Sequence, residues 1–369
     1  MIFCANPAAQ FQSYQAEIEA SVLEVLRSNR YILGPEVVAL EREFAEFIGA
    51  KFAVGVANGT DALELAMRAL DIGPGDEVVT VSHTAVATVA AIEATGAVPV
   101  LVDVDPVFFT LDPYQLREVL TPKTKAVIAV HLYGQAADLD AIVAFCSEHG
   151  LALIEDGSQA HGAKWQGRRL GSIGHIGCFS CYPTKNLGAI GDAGLVTTCD
   201  EALAEKVRML REYGWQRRYV SEISGRNSRL DELQAAILRI KLRRLDADNA
   251  KRSAIAKQYD QGLNSSVIKL PKVRDVADAV HHLYVIQTPY RTSLIQHLDK
   301  QGIQAGIHYP VPIHLQPAYE AGVRTAQDMH VTEQLAAQVL SLPMYPELLS
   351  DEVAQVIAAV NSHQSACTS

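Results

Sequence analysis

The sequence predicts an α/β fold, with a mostly parallel central sheet covered by helices and a smaller C-terminal α+β domain. Three observations carry this. Short runs in the first 155 residues are apolar almost throughout, as in strands buried on both faces. Stretches of helical period separate these runs. Past residue 245 the pattern loosens into fewer strands and a proline-bearing loop.

Residues 13–29 and 36–48 repeat apolar side chains at helical spacing and read as amphipathic helices. The run 52–57 is a strand and 61–70 a helix. Strands at 77–81, 98–102, 126–130 and 151–155 follow, separated by helices at 86–94, 113–120 and 139–149. Shorter apolar strands lie near 176–180 and 194–198. A helix at 201–213 leads into a loop rich in glycine and charge, 214–228, and 229–261 reads as one long helix. A connector at 262–280 precedes a strand at 283–288 and a helix at 291–301. A loop with several prolines spans 309–317, and helices near 328–340 and 350–361 end the pattern. The division falls inside the long helix, giving a large domain, 1–245, with N-terminal helices, and a small one, 246–369.

Hydrophobic residues make up 49% of the 369 and charged residues 20%, which excludes disorder as the main state. With 32 Lys+Arg against 42 Asp+Glu, the net charge of −10 opposes a phosphate backbone, so nucleic acid is not expected as a partner, though a local basic patch could bind a small anion. The most apolar stretch, 78–102, is broken by His83 and Glu93, and its uncharged part falls short of the ~20 residues a bilayer needs. No basic residue precedes Arg27, so a secretory signal has no charged start, and a cytoplasmic location is expected. Six scattered cysteines read as free thiols. Cys178 and Cys181 lie on a strand-like run, three apart, and so on opposite faces, which disfavours a metal or redox pair.

Three stretches could carry chemistry. Asn58-Gly59-Thr60-Asp61 follows a strand and opens a helix. Free N–H groups there can seat a phosphate, or Thr60 or Asp61 simply caps the turn. Asp156, in Ile154–His161, ends an apolar strand, where the ligand crevice of a parallel sheet lies. It could hold a cationic ring nitrogen, ligate a metal with His161, or cap the next turn. Lys185 sits between a strand and a glycine-rich stretch, 188–194, that does not match the dinucleotide fingerprint. Partial burial would lower its pKa and make it a nucleophile. Together the three suit pyridoxal phosphate, which needs a phosphate seat, a carboxylate at its ring nitrogen and a lysine at its aldehyde.

The stretches ANGTDALELAMRAL, IEDGSQAHGA, CFSCYPTKNLGAIGDAG, NSRLDELQAAIL and GIHYPVPIHLQPAY stand in that order along nearly the whole chain. In them the chain resembles the DegT/DnrJ/EryC1/StrS sugar aminotransferases, which have the aspartate aminotransferase fold, fold type I among pyridoxal phosphate enzymes. The resemblance implies that Lys185 bonds the cofactor covalently and moves the proton. It implies that Asp156 pairs with the ring nitrogen and Gln159 lies by the ring. Gly59, Thr60 and Ser180 are then the phosphate ligands, with Asn227 reaching the neighbouring subunit's phosphate in a homodimer that shares its sites. Many relatives have an aromatic residue where Ala85 stands, which leaves His83 or another group to cover the ring. Relatives that dehydrate their sugars replace the lysine by histidine; with Lys185 present, transamination is expected.

His308 to His314 is either a proline-stiffened connector or a loop facing substrate. No cysteine or acid stands near it to complete a metal site, and no metal is expected. Its form resembles that of enzymes aminating C-3 of a dTDP-linked 3-keto-6-deoxyhexose, as does the segment 213–222. This implies substrate contacts from Tyr182, Arg218, Tyr219, His308, Tyr309 and His314. Arg217 and Arg218, flanked by Trp215 and Tyr219, can hold a diphosphate and stack on a base. The implied reaction gives dTDP-3-amino-3,6-dideoxyhexose, with L-glutamate leaving as 2-oxoglutarate. A UDP-linked 3-keto sugar, a 4-keto sugar, an inosose and a non-catalytic sugar-nucleotide sensor remain the alternatives. Neither the C-4 epimer nor the pathway, lipopolysaccharide O-antigen or glycosylated metabolite, is legible.

Overall fold

The computed structural model describes residues 1–264 and 267–367; residues 265 and 266 of the expected connector, and the side chains of residues 364–367, that of Cys367 included, lie outside the described residues. Seven strands build the central sheet: β1 (Phe52–Val56), β2 (Glu77–Val81), β3 (Val98–Val102), β4 (Thr124–Val130), β5 (Ala152–Asp156), β6 (Ile176–Ser180) and β7 (Gly194–Thr198). Their spatial order is β1-β7-β6-β5-β4-β2-β3, and Arg324–Thr325 adds a short parallel edge beyond β3. β7 runs antiparallel to both neighbours, whereas the pairs from β6 to β3 are parallel. Parallel neighbours need crossovers, and the helices between them cover the sheet.

The main core packs both faces of the parallel strands, with Val127 among them, against helix residues such as Leu63, Met67, Ile92 and Ile142. Opposite it, at the β1-β7-β6 end of the sheet, Phe179 and Leu195 pack against helices Pro35–Ile48 and Glu232–Leu242 through Leu40, Phe44 and Leu238. A second core joins Ile255, Tyr259, Leu294 and Val356 around the antiparallel pair β8 (Tyr284–Gln287) and β9 (Val339–Leu342), and Ile2 completes it. Cys178 lies in the main core and Cys181 in the opposite one; both are free thiols, as are Cys4, Cys146 and Cys199. No helix among the described residues is long and apolar enough to cross a membrane.

Among the segments that differ from expectation, four stand out. The long helix 229–261 is two, Glu232–Leu242 and Leu245–Gly262. Helix propensity runs through Arg243 and Arg244, but the two halves bury their apolar residues in different cores. The helix near 328–340 stops at Gln338, because Val339–Leu342 is buried along its length and pairs with β8. The helix at 13–29 is Pro7–Ser13 followed by Gln15–Ser28. The loop 214–228 contains a hairpin, Trp215–Arg217 with Val220–Ser221.

Glu155 anchors the end of the central strand. It is fully buried and accepts from the backbone N–H of Gly171 at 2.8 Å and of Ile173 and Gly174 at 2.7 Å. His131 Nδ1 accepts from the Ala137 N–H, so Nε2 carries the proton and donates to Glu155 at 3.1 Å. Burial alone would raise the Glu155 carboxyl, but His131 and the backbone donors outweigh it and hold it below the ordinary carboxylate range. Its stabilisation is therefore full above the unfolded-state value and is lost as pH falls through the depressed folded value. Glu155→Gln would turn an amide nitrogen toward these donors and should cost about 3 kcal/mol or more, read as a lower denaturant midpoint at neutral pH.

Candidate active site

The carboxyl ends of β5 and β6 and the helix after β1 converge on a cavity of about 620 Å³, within the usual range for a small-molecule site. The cap of helix Gly59–Ala69 is Asn58, not Thr60 or Asp61: its side chain accepts from the Asp61 N–H at 2.8 Å. A Cβ on Gly59 would lie 2.5 Å from Ser180 Cβ, so only glycine lets the helix start meet the end of β6. The first-turn N–H groups and the Thr60 and Ser180 side chains then border the cavity together. That is an anion seat with a positive dipole end.

Asp156, the last residue of β5, is buried and lines the same cavity. Its Oδ2 accepts from Thr88 Oγ1 at 2.9 Å and its Oδ1 from the Ser158 N–H at 3.2 Å, which fixes the carboxylate plane. Lys185 enters from the loop after β6, its own N–H bonded to Tyr182 O at 2.9 Å. Burial pushes its amine down to about 8, against the attraction of Asp156. The neutral form, which a nucleophile requires, is therefore easier to reach near neutral pH than for an exposed lysine. Gln159 is clamped by its Oε1, which accepts from the Tyr133 N–H at 2.7 Å, while its Nε2 donates to Tyr309 Oη at 3.1 Å.

His308, Tyr309 and Tyr182 also line the cavity. Burial pushes the Tyr309 phenol up to about 12, so it keeps its proton. Burial and the Lys185 charge push His308 down to about 4, so its imidazole is neutral; its Nδ1 lies 2.9 Å from Ser341 Oγ.

Five expected residues are not brought into this cavity. Ala85 borders it, but His83 lies behind, its Nε2 2.8 Å from Tyr133 Oη. The Tyr133 hydroxyl donates to the His308 carbonyl, so His83 donates to Tyr133 and braces the loop rather than facing a ligand. Both ring nitrogens of His314 are engaged, Nδ1 with Ser82 Oγ at 2.8 Å and Nε2 with Glu333 Oε1 at 3.2 Å. Arg218, Tyr219 and Asn227 are exposed, outside the cavity of their own subunit; the Arg218 guanidinium stacks 4.9 Å above the Tyr219 ring.

Thr88 and His282 are among the lining residues that escape sequence reasoning. Thr88 sits in an apolar helix, Val86–Thr95, and only the fold turns its hydroxyl to Asp156. His282 stands beyond the connector, with no neighbouring motif to mark it.

A phosphate seat closed by glycine, a fixed carboxylate and a lysine of lowered basicity in one cavity fit pyridoxal phosphate. A model of the DegT/DnrJ/EryC1/StrS aminotransferase family matches residues 12–361. The chain is 47% identical to dTDP-3-amino-3,4,6-trideoxy-alpha-D-glucose transaminase of Streptomyces venezuelae, over 95% of this chain and 93% of that one. It is also 47% identical to dTDP-3-amino-3,6-dideoxy-alpha-D-galactopyranose transaminase of Aneurinibacillus thermoaerophilus, over 95% and 96%. The crystal structure of S. venezuelae DesV in complex with a ketimine intermediate superposes with a TM-score of 0.96 at 46% identity, covering 98% of each chain.

Proposed function

The chain belongs to the DegT/DnrJ/EryC1/StrS aminotransferase family, and from that premise we propose that it aminates C-3 of a dTDP-linked 3-keto-6-deoxyhexose, with L-glutamate as donor. Its cofactor is pyridoxal phosphate. The observation that carries the reading is the joining of Lys185, Asp156 and the Gly59–Ser180 seat in one cavity. The substrate class rests on the names of the two relatives above.

When bound, the cofactor supplies a carbonyl that bonds amines and a ring that draws electrons from the substrate carbon. Gly59, Thr60 and Ser180 hold its phosphate. Asp156 favours the protonated ring nitrogen, and Gln159 lies beside the ring. Lys185, as the free amine, takes the proton from one carbon and returns it to another. Tyr309 receives a hydrogen bond from Gln159, which leaves its own O–H to donate to a substrate oxygen.

The working unit is a homodimer with shared sites. Arg218, Tyr219 and Asn227 are exposed on one subunit and suited to a partner's diphosphate and phosphate. The N-terminal helices and the turn between them also leave Leu23, Leu26, Ile32 and Val38 exposed. A cytoplasmic location suits two charged substrates that do not cross a bilayer.

The test follows the absorbance of the purified, cofactor-loaded protein. L-Glutamate should remove the band of the lysine-bound cofactor. One C-4 epimer of dTDP-3-keto-6-deoxyglucose, gluco or galacto, should restore it. Recovery only with a UDP-linked or 4-keto sugar would keep the transaminase and overturn this substrate.

A further inference from the structure

His282 has no part in the roles assigned above, yet it lines the cavity with Lys185. It is buried, and its Nδ1 lies 3.2 Å from Asn186 Oδ1. The direction of that bond is determined. Asn249 donates its amide to the His161 carbonyl at 2.9 Å, so its oxygen is the acceptor. Asn186 donates its amide to that oxygen at 2.8 Å and to the Val280 carbonyl at 3.0 Å. The Asn186 oxygen can then only accept, so His282 Nδ1 carries the proton. Its Nε2 is left as a bare acceptor with no protein partner among the described residues, on a ring that borders the cavity. Two backbone carbonyls thus set one tautomer through two asparagines, one of them the residue next to Lys185.

We infer that His282 is a positioning residue for Lys185: its Nε2 accepts a hydrogen bond from the Lys185 ammonium in the part of the cycle when that amine is free of the cofactor. The inference rests on Lys185 being the cofactor lysine. Burial and the nearby Lys185 and Arg252 charges hold His282 well below the ordinary histidine range, so it stays an acceptor at working pH. His308 also borders the cavity and is pushed down in turn; His161, whose ring nitrogens have no hydrogen-bond partner among the described residues, is fully buried and does not line the cavity. Asp156 and Cys181 favour the charged form of Lys185 electrostatically. Asp156 attracts the ammonium, but its carboxylate is assigned above to the ring nitrogen. His282 supplies an acceptor with no prior engagement, and a hydrogen bond to the charged form raises a lysine pKa.

The decisive measurement is histidine ¹⁵N NMR of the wild-type holoenzyme, before and after L-glutamate frees Lys185, with His282 assigned by its loss in His282→Gln. The expected result is a protonated Nδ1 and a bare Nε2 in both forms, with the Nε2 resonance moving upfield once the amine is free. A protonated Nε2, or no movement, overturns the inference. Variants give a second readout. His282→Phe should lower kcat about tenfold with an unchanged KM for the sugar. It should also move the acid limb of the kcat profile about one unit lower, because Lys185 loses support for its charged form. In His282→Gln the amide donates to Asn186 and its oxygen accepts, so most of both effects should be reversed. A change in KM alone would assign His282 to substrate and overturn the inference. A wild-type protein that shows no lysine-bound cofactor would instead defeat the proposed function itself.

Discussion

Lys185→Arg should fold as the wild type does and lose turnover by at least about a thousandfold. Arginine keeps the positive charge but stays protonated, so it can neither bond a carbonyl nor accept a proton. The cofactor should still bind through the Gly59–Ser180 seat, without the absorbance of a lysine-bound form. Circular dichroism, the thermal midpoint and the spectrum separate loss of chemistry from loss of fold. Measurable turnover in this variant would overturn the role of Lys185. Mixed with Asn227→Ala subunits, the same variant tests the shared site. A hybrid dimer has one site that joins Lys185 from one subunit to Asn227 from the other, so activity should return on mixing. No return after demonstrated subunit exchange would remove Asn227 from the partner's site and leave Lys185 untouched.

Asp156→Asn should lower kcat about 100- to 1,000-fold while Lys185 still bonds the cofactor. Its single amide oxygen can keep the bond from the Ser158 N–H, while the amide nitrogen faces Thr88 Oγ1, whose hydroxyl can turn to accept. The amide cannot favour a protonated ring nitrogen by charge, and an unprotonated ring withdraws electrons poorly. Near-normal turnover would show that the ring needs no such partner here. Thr88→Val should have a much smaller effect, because it loosens the carboxylate without removing its charge.

Much of this architecture is legible in short stretches. Val98–Val102 and Ala152–Asp156 read as buried strands because apolar runs of that length have few other uses. Asp156 and Lys185 are marked by their places, one ending a strand and one entering a glycine-rich turn. The break at Arg243–Arg244 is not legible, since no proline or glycine stands there and the reason is which core each half faces. Val339–Leu342 has no alternating pattern to mark it, and it becomes a strand because Tyr284–Gln287 lies beside it.

The sequence by itself determined the family resemblance, the order of the central strands and the helices between them, and the cofactor chemistry. Each is written in neighbouring residues whose types and spacing are themselves the signal. Only the tertiary structure decided which histidines meet the cavity. His83, His282, His308 and His314 all look alike as polar residues near loops. The fold uses His83 and His314 as braces, and it turns His308 and His282 inward. A histidine's role depends on which nitrogen its neighbours leave free, and those neighbours come from distant parts of the chain.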